Sequence, residues 1–413
     1  MSFAYRNGVL CAEQLPLEEI ARRFGTPCYV YSSAAIEAAY LEFSTALKGK
    51  PALICYSVKA NSNLAVLALL ARLGAGFDIV SGGELARVIA AGGDPAKTVF
   101  SGVGKSALEI ESALTAGVRC LNLESEAELE RVNRVAGRIG KRAPIALRVN
   151  PDVDAKTHAY IATALKTSKF GVPYGDAKRL YLRAARLPHL QVVGIGCHIG
   201  SQMLNAAPLA AAVRRIVMLA DQLAREGVKL RHIDIGGGFG IRQRDERVQP
   251  VGQFIQRCLQ ALGERPETLV VDPGRAIVGN AGALLTRIEH VKRAQRKRFL
   301  VVDAAMNDLL RPSLYEAWHA VLPVRKKGGK KTVYDIVGPV CESGDFLAKD
   351  RRLAAGEDDL LAIMSAGAYG MVMSSNYNSR PRAAEVLVRG ERADLVRSRE
   401  SVEQLFALER IPG

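Results

Sequence analysis

The strongest constraint on this chain is a rhythm. Up to about residue 275, short β-rich segments recur at 52–57, 76–80, 98–102, 119–124, 144–150, 192–200, 231–237 and 268–274. Between them lie stretches of helical spacing, including 63–74, 106–117, 125–140 and 209–227. Strands alternating with helices at this interval predict a parallel sheet built from βαβ units. Eight such units in roughly 250 residues point to a (β/α)8 TIM-type barrel, although an open doubly wound sheet has the same local pattern. Lys59, His198, the turn Gly236–Gly240, Asp272 and Arg275 all fall at the carboxyl ends of predicted strands. That is the functional face of a barrel, and in an open sheet they would not converge so easily. We therefore expect an α/β barrel over 31–274.

After Arg275 the rhythm changes. Segments 298–306, 332–340, 359–367 and 383–390 are β-like with few helices between them. They predict a mainly antiparallel C-terminal β domain over 275–413, joined by residues 1–30, with a short helix near 401–410. The long segment 151–173 after the fifth strand is a candidate mobile lid on length alone.

Composition narrows the class. Of 413 residues, 48% are hydrophobic and 24% charged, the mix of a soluble globular protein. No apolar run approaches the roughly 18 residues of a membrane span, and the opening residues lack a basic-then-apolar leader. Seven scattered cysteines without a C-x-x-C pair argue against a disulfide framework and a zinc site. We expect no metal and a reducing, cytoplasmic location. The net charge of +15 concentrates in two runs, 292–298 and 325–331, neither interleaved with aromatics. Solvated loops or hairpin tips are the expected explanation. A nucleic-acid binder would instead bind duplex DNA in a salt-sensitive way.

Four features carry candidate chemistry. Alternation places Leu53, Cys55, Ser57 and Lys59 on one side of the first strand, so Lys59 would enter the barrel mouth if that side faces inward. A partly desolvated lysine there suits Schiff-base chemistry, and a solvated strand-end lysine is the plain alternative. The glycines at 236–238 and 240, with Gly237 and Gly238 central, either cradle an anion or make a tight turn. His198 shares its side of the strand with Gly194 and Gly196, which would empty the interior beneath the ring for a flat ligand. A core histidine is the alternative. Asp272 and Arg275 either pair with each other or hold a ligand cation and anion. Together, an amine, an imidazole, a glycine nest and a carboxylate match the needs of a pyridoxal 5'-phosphate site.

With these residues in place, the chain resembles the fold-type III pyridoxal-phosphate-dependent decarboxylases, and within them the diaminopimelate branch. Tyr56-Ser57-Val58-Lys59-Ala60-Asn61 resembles the cofactor-lysine motif. His198-Ile199-Gly200-Ser201-Gln202 resembles the ring-stacking histidine motif, with Ser201 near the phosphate. Gly236–Gly240 matches the phosphate loop, and Asp272-Pro273-Gly274-Arg275 stands where the family usually has Glu-Pro-Gly-Arg. Further on, the segment 306–315 resembles the substrate-binding segment, with Arg311 and Tyr315 as contacts. The segment 338–345 resembles the one that a dimer partner inserts, carrying Cys341 and Glu342. Gly367-Ala368-Tyr369-Gly370 resembles the segment whose tyrosine reaches the cofactor phosphate and substrate. The match runs in order through nearly the whole chain.

The resemblance implies a homodimer with shared active sites that decarboxylates meso-2,6-diaminoheptanedioate to L-lysine, the last step of lysine biosynthesis. It implies roles for Lys59 as cofactor lysine, His198 as stacking group and Cys341 as proton donor. Arg275, Arg311 and Tyr315 would hold the distal carboxylate, and Glu342 the distal ammonium. One departure stands out, since Asp272 is one methylene shorter than the usual glutamate. Rival expectations are a decarboxylase of another basic amino acid or a carboxylated polyamine, a racemase, and a non-catalytic regulatory homologue.

Overall fold

The computed structural model describes residues 3–153, 169–295 and 297–413. The expected lid at 151–173 falls largely on 154–168, outside the described residues. The chain divides into two compact units: residues 39–241 with 247–276, and residues 1–38 with 242–246 and 277–413. The first unit thus begins inside the helix Ser33–Ala46 and cedes 242–246 to the second.

The first unit is a closed parallel barrel of eight strands. They are Ala52–Ser57, Gly76–Ile79, Thr98–Phe100, Cys120–Leu123, Ala143–Asn150, Leu190–Gly196, His232–Asp234 and Thr268–Val271. The last pairs with the first through Val270 and Leu53, and the fourth pairs with the fifth through Leu121 and Ile145, which closes the ring. The open-sheet alternative is thereby removed.

Three successive helices start on the same local signal, a serine three residues before a glutamate. Ser81, Ser106 and Ser125 accept the amides of Glu84, Glu109 and Glu128, satisfying donors that the first helical turn leaves without partners. At Ser106 the Glu109 carboxylate returns the bond, completing a capping box. Inside the barrel, Cys55, Val99, Cys120, Ala146, Val193 and Val270 pack with Leu53. These are small and medium side chains, as a narrow parallel barrel needs to fill its interior without strain. Leu53 and Cys55 therefore face inward, as the alternation required.

The second unit holds a sheet in the order Phe346–Leu353, Thr332–Val337, Lys297–Val302, Gly282–Ala294, Cys28–Ser32, Ala384–Arg389 and Arg392–Arg397. Most neighbours are antiparallel. Two contacts are parallel, Lys297–Val302 with Thr332–Val337 and Cys28–Ser32 with Ala384–Arg389. Leu10, Leu17, Ile20, Val30, Leu285 and Val386 form its core. At about 1.5–3 kcal/mol for each fully buried aliphatic side chain, this cluster supplies much of the drive that holds the N-terminal segment onto the sheet. Among the described residues, no helix is long and apolar enough to cross a membrane.

Candidate active site

The mouth of the barrel opens into a cavity of about 450 Å³ lined by Lys59, Asn122, Arg148, His198, Asp234 and Asp272. Its charged and polar residues come from the carboxyl ends of the strands because inward positions alternate along each of them. Lys59 sits on a short 3-10 turn, Val58–Ala60, just past the first strand. Its Nζ donates to Asp78 Oδ2 at 2.6 Å, and Ser57 Oγ donates to the same oxygen at 2.9 Å. Asp78 is fully buried. Burial would raise its carboxyl, but the Lys59 charge and hydrogen bonds from Lys59, Ser101 and Ser57 hold it below its ordinary value.

His198 is half-buried beyond the sixth strand. Its Nδ1 accepts the Gly237 amide at 3.2 Å. Burial, with the nearby Arg148 and Lys59 cations, lowers its pKa to about 3. The ring is neutral at physiological pH and adds no positive charge to whatever stacks on it. The space expected beneath it is partly filled. A side chain at Gly194 would run into the His232 imidazole, and one at Gly196 would touch Asp234. The two glycines therefore make room for inward side chains of the next strand, while Gly196 still lines the cavity.

The glycine turn is clamped by protein on one side. Gly236 donates to Asp234 Oδ1 at 2.8 Å, its carbonyl accepts the Asp272 amide at 3.2 Å, and Gly237 donates to His198. Gly238 has φ +84°, and a Cβ there would collide with the Gly200 carbonyl and Met203. Glycine is therefore required there by backbone conformation and close approach together. Beside this turn, Arg275 donates Nη2–H to Ser201 Oγ at 3.2 Å, joining two residues expected near an anion.

Asp272 is 7% exposed, and its Oδ1 is buried without a hydrogen-bond partner. Burial, reinforced by Asp234 and Asp78, pushes its carboxyl well above the ordinary value of 3.8. A buried carboxylate with an unmatched oxygen facing a cavity fits a ligand that brings a cationic N–H, and the protonated ring nitrogen of pyridoxal phosphate is such a group. The lysine, the neutral imidazole and the Ser201–Arg275 pair suit the aldehyde, ring and phosphate of the same cofactor.

The sequence reading missed Asp78, Arg148 and Asp234. Each is a charged residue on the inward parity of its strand, a partial signal because a charge at a strand edge has the same pattern. Arg148 is held by Glu124 at 3.4 Å and by the His198 carbonyl at 3.3 Å, with Phe170 4.7 Å from its guanidinium. Burial and the Asp78 charge raise Asp234 to about 7, opposed by its bond from Gly236.

The remaining candidates belong to the second unit. Arg311, buried at the start of the short helix Arg311–Tyr315, stands 5.5 Å from the Tyr315 ring and 5.9 Å from the Tyr369 ring. The structure thus brings Arg311, Tyr315 and Tyr369 together. Tyr369 has φ +56°, uncommon for a bulky side chain and typical of positions held for a purpose. Cys341 and Glu342 lie on an exposed turn. The buried carboxylate of Asp345 braces it by accepting the Val340 and Met306 amides, and Asn378 accepts the Cys341 amide at 2.7 Å.

Residues 33–279 match the model of the pyridoxal-dependent decarboxylase pyridoxal-binding domain. Barrel, lysine and acceptor carboxylate thus define the class as a pyridoxal-phosphate-dependent decarboxylase. Diaminopimelate decarboxylase of Pseudomonas aeruginosa is 57% identical over 410 residues, covering 99% of both chains. That of Neisseria meningitidis serogroup B is 55% identical over 400 residues, covering 97% of both. The crystal structure of diaminopimelate decarboxylase from Helicobacter pylori complexed with L-lysine aligns with TM-score 0.92 at 43% identity, over 95% of this chain and 99% of that one. The enzyme of M. jannaschii aligns with TM-score 0.95 at 35% identity, over 100% and 98%. The chain belongs to the diaminopimelate decarboxylase family.

Proposed function

We propose that this chain removes one carboxylate of meso-2,6-diaminoheptanedioate to give L-lysine and carbon dioxide. The observation that carries this is the barrel-mouth cavity, where Lys59, neutral His198 and the unmatched carboxyl of Asp272 meet, in a chain of this family. Pyridoxal phosphate, when bound, supplies the electron sink for the pair left behind as carbon dioxide departs.

The chain's own groups do the rest. Lys59 would hold the cofactor through its Nζ, the atom that donates to Asp78 in this structure. His198, its orientation set by the Gly237 amide, would pack against the ring without competing for charge. Asp272 would keep the ring nitrogen protonated, and Ser201, Gly238 and Arg275 would serve the phosphate side. Arg311, with Tyr315 and Tyr369 against its guanidinium, grips the carboxylate that is kept, and Arg275 assists. Glu342 takes the distal ammonium. Cys341 delivers the proton to the carbon that loses its carboxylate, since a thiol is a competent acid near neutral pH.

Because Cys341 and Glu342 sit on an exposed, braced turn, we assign them to a partner's active site, making the homodimer the working unit. Six buried thiols and one exposed thiol, all free, support a reducing cytoplasm.

The test is release of lysine and carbon dioxide from meso-diaminopimelate by the holoenzyme, beside Lys59→Ala and with ornithine, arginine and L-lysine as rivals. Turnover of diaminopimelate by the wild type alone is expected. Turnover of a rival in its place would retain the barrel and cofactor but remove the roles given to Arg311 and Glu342.

A further inference from the structure

The strand Cys28–Ser32 has two faces with different tasks. Cys28 and Val30 point into the apolar core of the second unit, so alternation sends Tyr29 and Tyr31 to the other side. Both tyrosines are buried, and their rings stack with centroids 6.2 Å apart. A buried phenol must find a partner for its hydroxyl, so a tyrosine where phenylalanine would pack as well marks a bond that the fold holds. The Tyr31 hydroxyl stays within the sheet and donates to Glu385 Oε1, on the neighbouring strand, at 2.7 Å. The Tyr29 hydroxyl leaves the sheet and donates to the Asp308 carbonyl at 2.6 Å. Burial, with the charges of Asp308 and Glu385, pushes it well above its ordinary value of 10.0, so it stays a donor near neutral pH.

Asp308 belongs to the segment that presents Arg311. The Asp308 amide donates to the Ala305 carbonyl at 2.9 Å, and its carboxylate accepts the Ala305 amide at 3.0 Å, which closes a tight turn. Three residues later Arg311 opens its short helix. The same phenol also lies against the segment that carries Tyr369. A Cβ at Gly370 would come within 2.8 Å of the Tyr29 ring and hydroxyl, so the backbone just after Tyr369 runs directly over it. Tyr29 is thus wedged between the turn before Arg311 and the loop after Tyr369. The two segments meet again farther along. The Ser375 amide donates to the Asn307 carbonyl at 2.9 Å, and Arg380 Nε donates to Asn307 Oδ1 at 3.1 Å.

We propose that Tyr29 is a positioning residue for substrate, its phenol setting the spacing of Arg311 and Tyr369 so that the pair is preformed for the carboxylate that lysine retains. This rests on the reading above, in which those side chains grip that carboxylate. A guanidinium fork matches a carboxylate only in the right orientation, and a clamp ordered in advance loses less freedom when the substrate arrives. Tyr29 is fully buried and acts through the backbone at Asp308 and Gly370. Removing its hydroxyl should therefore weaken the hold on the retained end of the substrate and leave the bond-breaking end untouched.

The experiment compares Tyr29→Phe with Tyr31→Phe in the holoenzyme. Each deletes one buried hydroxyl from the same strand, so each should lower the melting temperature, and only the first should loosen the clamp. In Tyr29→Phe the KM for meso-diaminopimelate should rise about tenfold while kcat stays within about twofold of wild type. Inhibition by L-lysine, which keeps the gripped carboxylate, should weaken in step. Inhibition by 1,5-diaminopentane, the same diamine without that carboxylate, should not. Cofactor absorbance should match wild type, and Tyr31→Phe should keep the wild-type KM. An unchanged KM in folded Tyr29→Phe, an equal rise in both variants, or equal weakening of the two inhibitors would overturn the proposal. So would a fall in kcat with loss of cofactor. A wild type that turns over no diaminopimelate would overturn the function proposed above, and this role with it.

Discussion

Replacing Asp272 by asparagine should move stability and activity in opposite directions. In the cofactor-free protein the carboxyl is buried with Oδ1 unmatched, and its pKa is raised by burial and by the charges of Asp234 and Asp78. An acid whose folded pKa lies above its unfolded value opposes folding once the unfolded chain ionises. The penalty is absent below about 3.8, grows as pH rises toward the folded value, and is complete above it. Leaving such a group unmatched costs about 1–3 kcal/mol. Asp272→Asn removes the charge at nearly constant volume, so the cofactor-free variant should gain up to about that amount at pH 7. The gain should shrink toward zero near pH 4. In the holoenzyme the sign should reverse, because the charged hydrogen bond that we propose to the ring nitrogen would be lost. At about 1.5–3 kcal/mol, turnover should fall roughly ten- to a hundredfold. Urea titrations of cofactor-free protein at pH 7 and pH 4, beside steady-state decarboxylation, measure both. A variant less stable than wild type at pH 7, or a gain independent of pH, would refute the reasoning.

Three further substitutions probe separate parts of the structure. Lys105 is 2% exposed and donates to Glu128 at 3.0 Å and to the Gly102 and Asn122 carbonyls, so Lys105→Met strands a buried carboxylate. A loss of about 3–5 kcal/mol is expected in urea unfolding, and a loss below 1 kcal/mol would show that water reaches Glu128. Gly238→Ala combines a left-handed conformation with a collision against the Gly200 carbonyl, and should cost at least about 1–2 kcal/mol with a matching drop in melting temperature. Cys341→Ala should slow decarboxylation about a hundredfold or more while the absorbance of bound cofactor stays as in wild type. A loss of cofactor in that variant would mean a binding role instead of proton delivery.

The barrel was legible because its period is strict. The strand at 52–57 is observed over those residues, and the helix predicted over 106–117 is observed as Ala107–Ala116. Strand ends were overextended at 98–102 and 231–237, where the observed strands stop at Phe100 and Asp234. Residues that announce themselves by type, such as Lys59 and His198, were found by parity. Asp78, Arg148 and Asp234 were missed since a lone charge in a strand looks the same in sequence whether it faces a cavity or ends an edge. The purpose of Gly194 was misread for a related reason. What a missing side chain makes room for depends on the neighbouring strand, here on His232, and register between strands is not written in either one.

The strand Cys28–Ser32 has a consequence for how the chain is made. It lies between Gly282–Ala294 and Ala384–Arg389, so one of the first segments to leave the ribosome waits for one of the last. The barrel closes earlier, once Thr268–Val271 can meet Ala52–Ser57. Synthesis therefore yields a finished barrel trailing an apolar N-terminal strand whose neighbours do not yet exist. Such long-range pairing is slow and exposes strand edges meanwhile. Premature termination between Ala294 and residue 384 should leave that strand with one edge unpaired, and the resulting fragments should aggregate through it while their barrels remain folded.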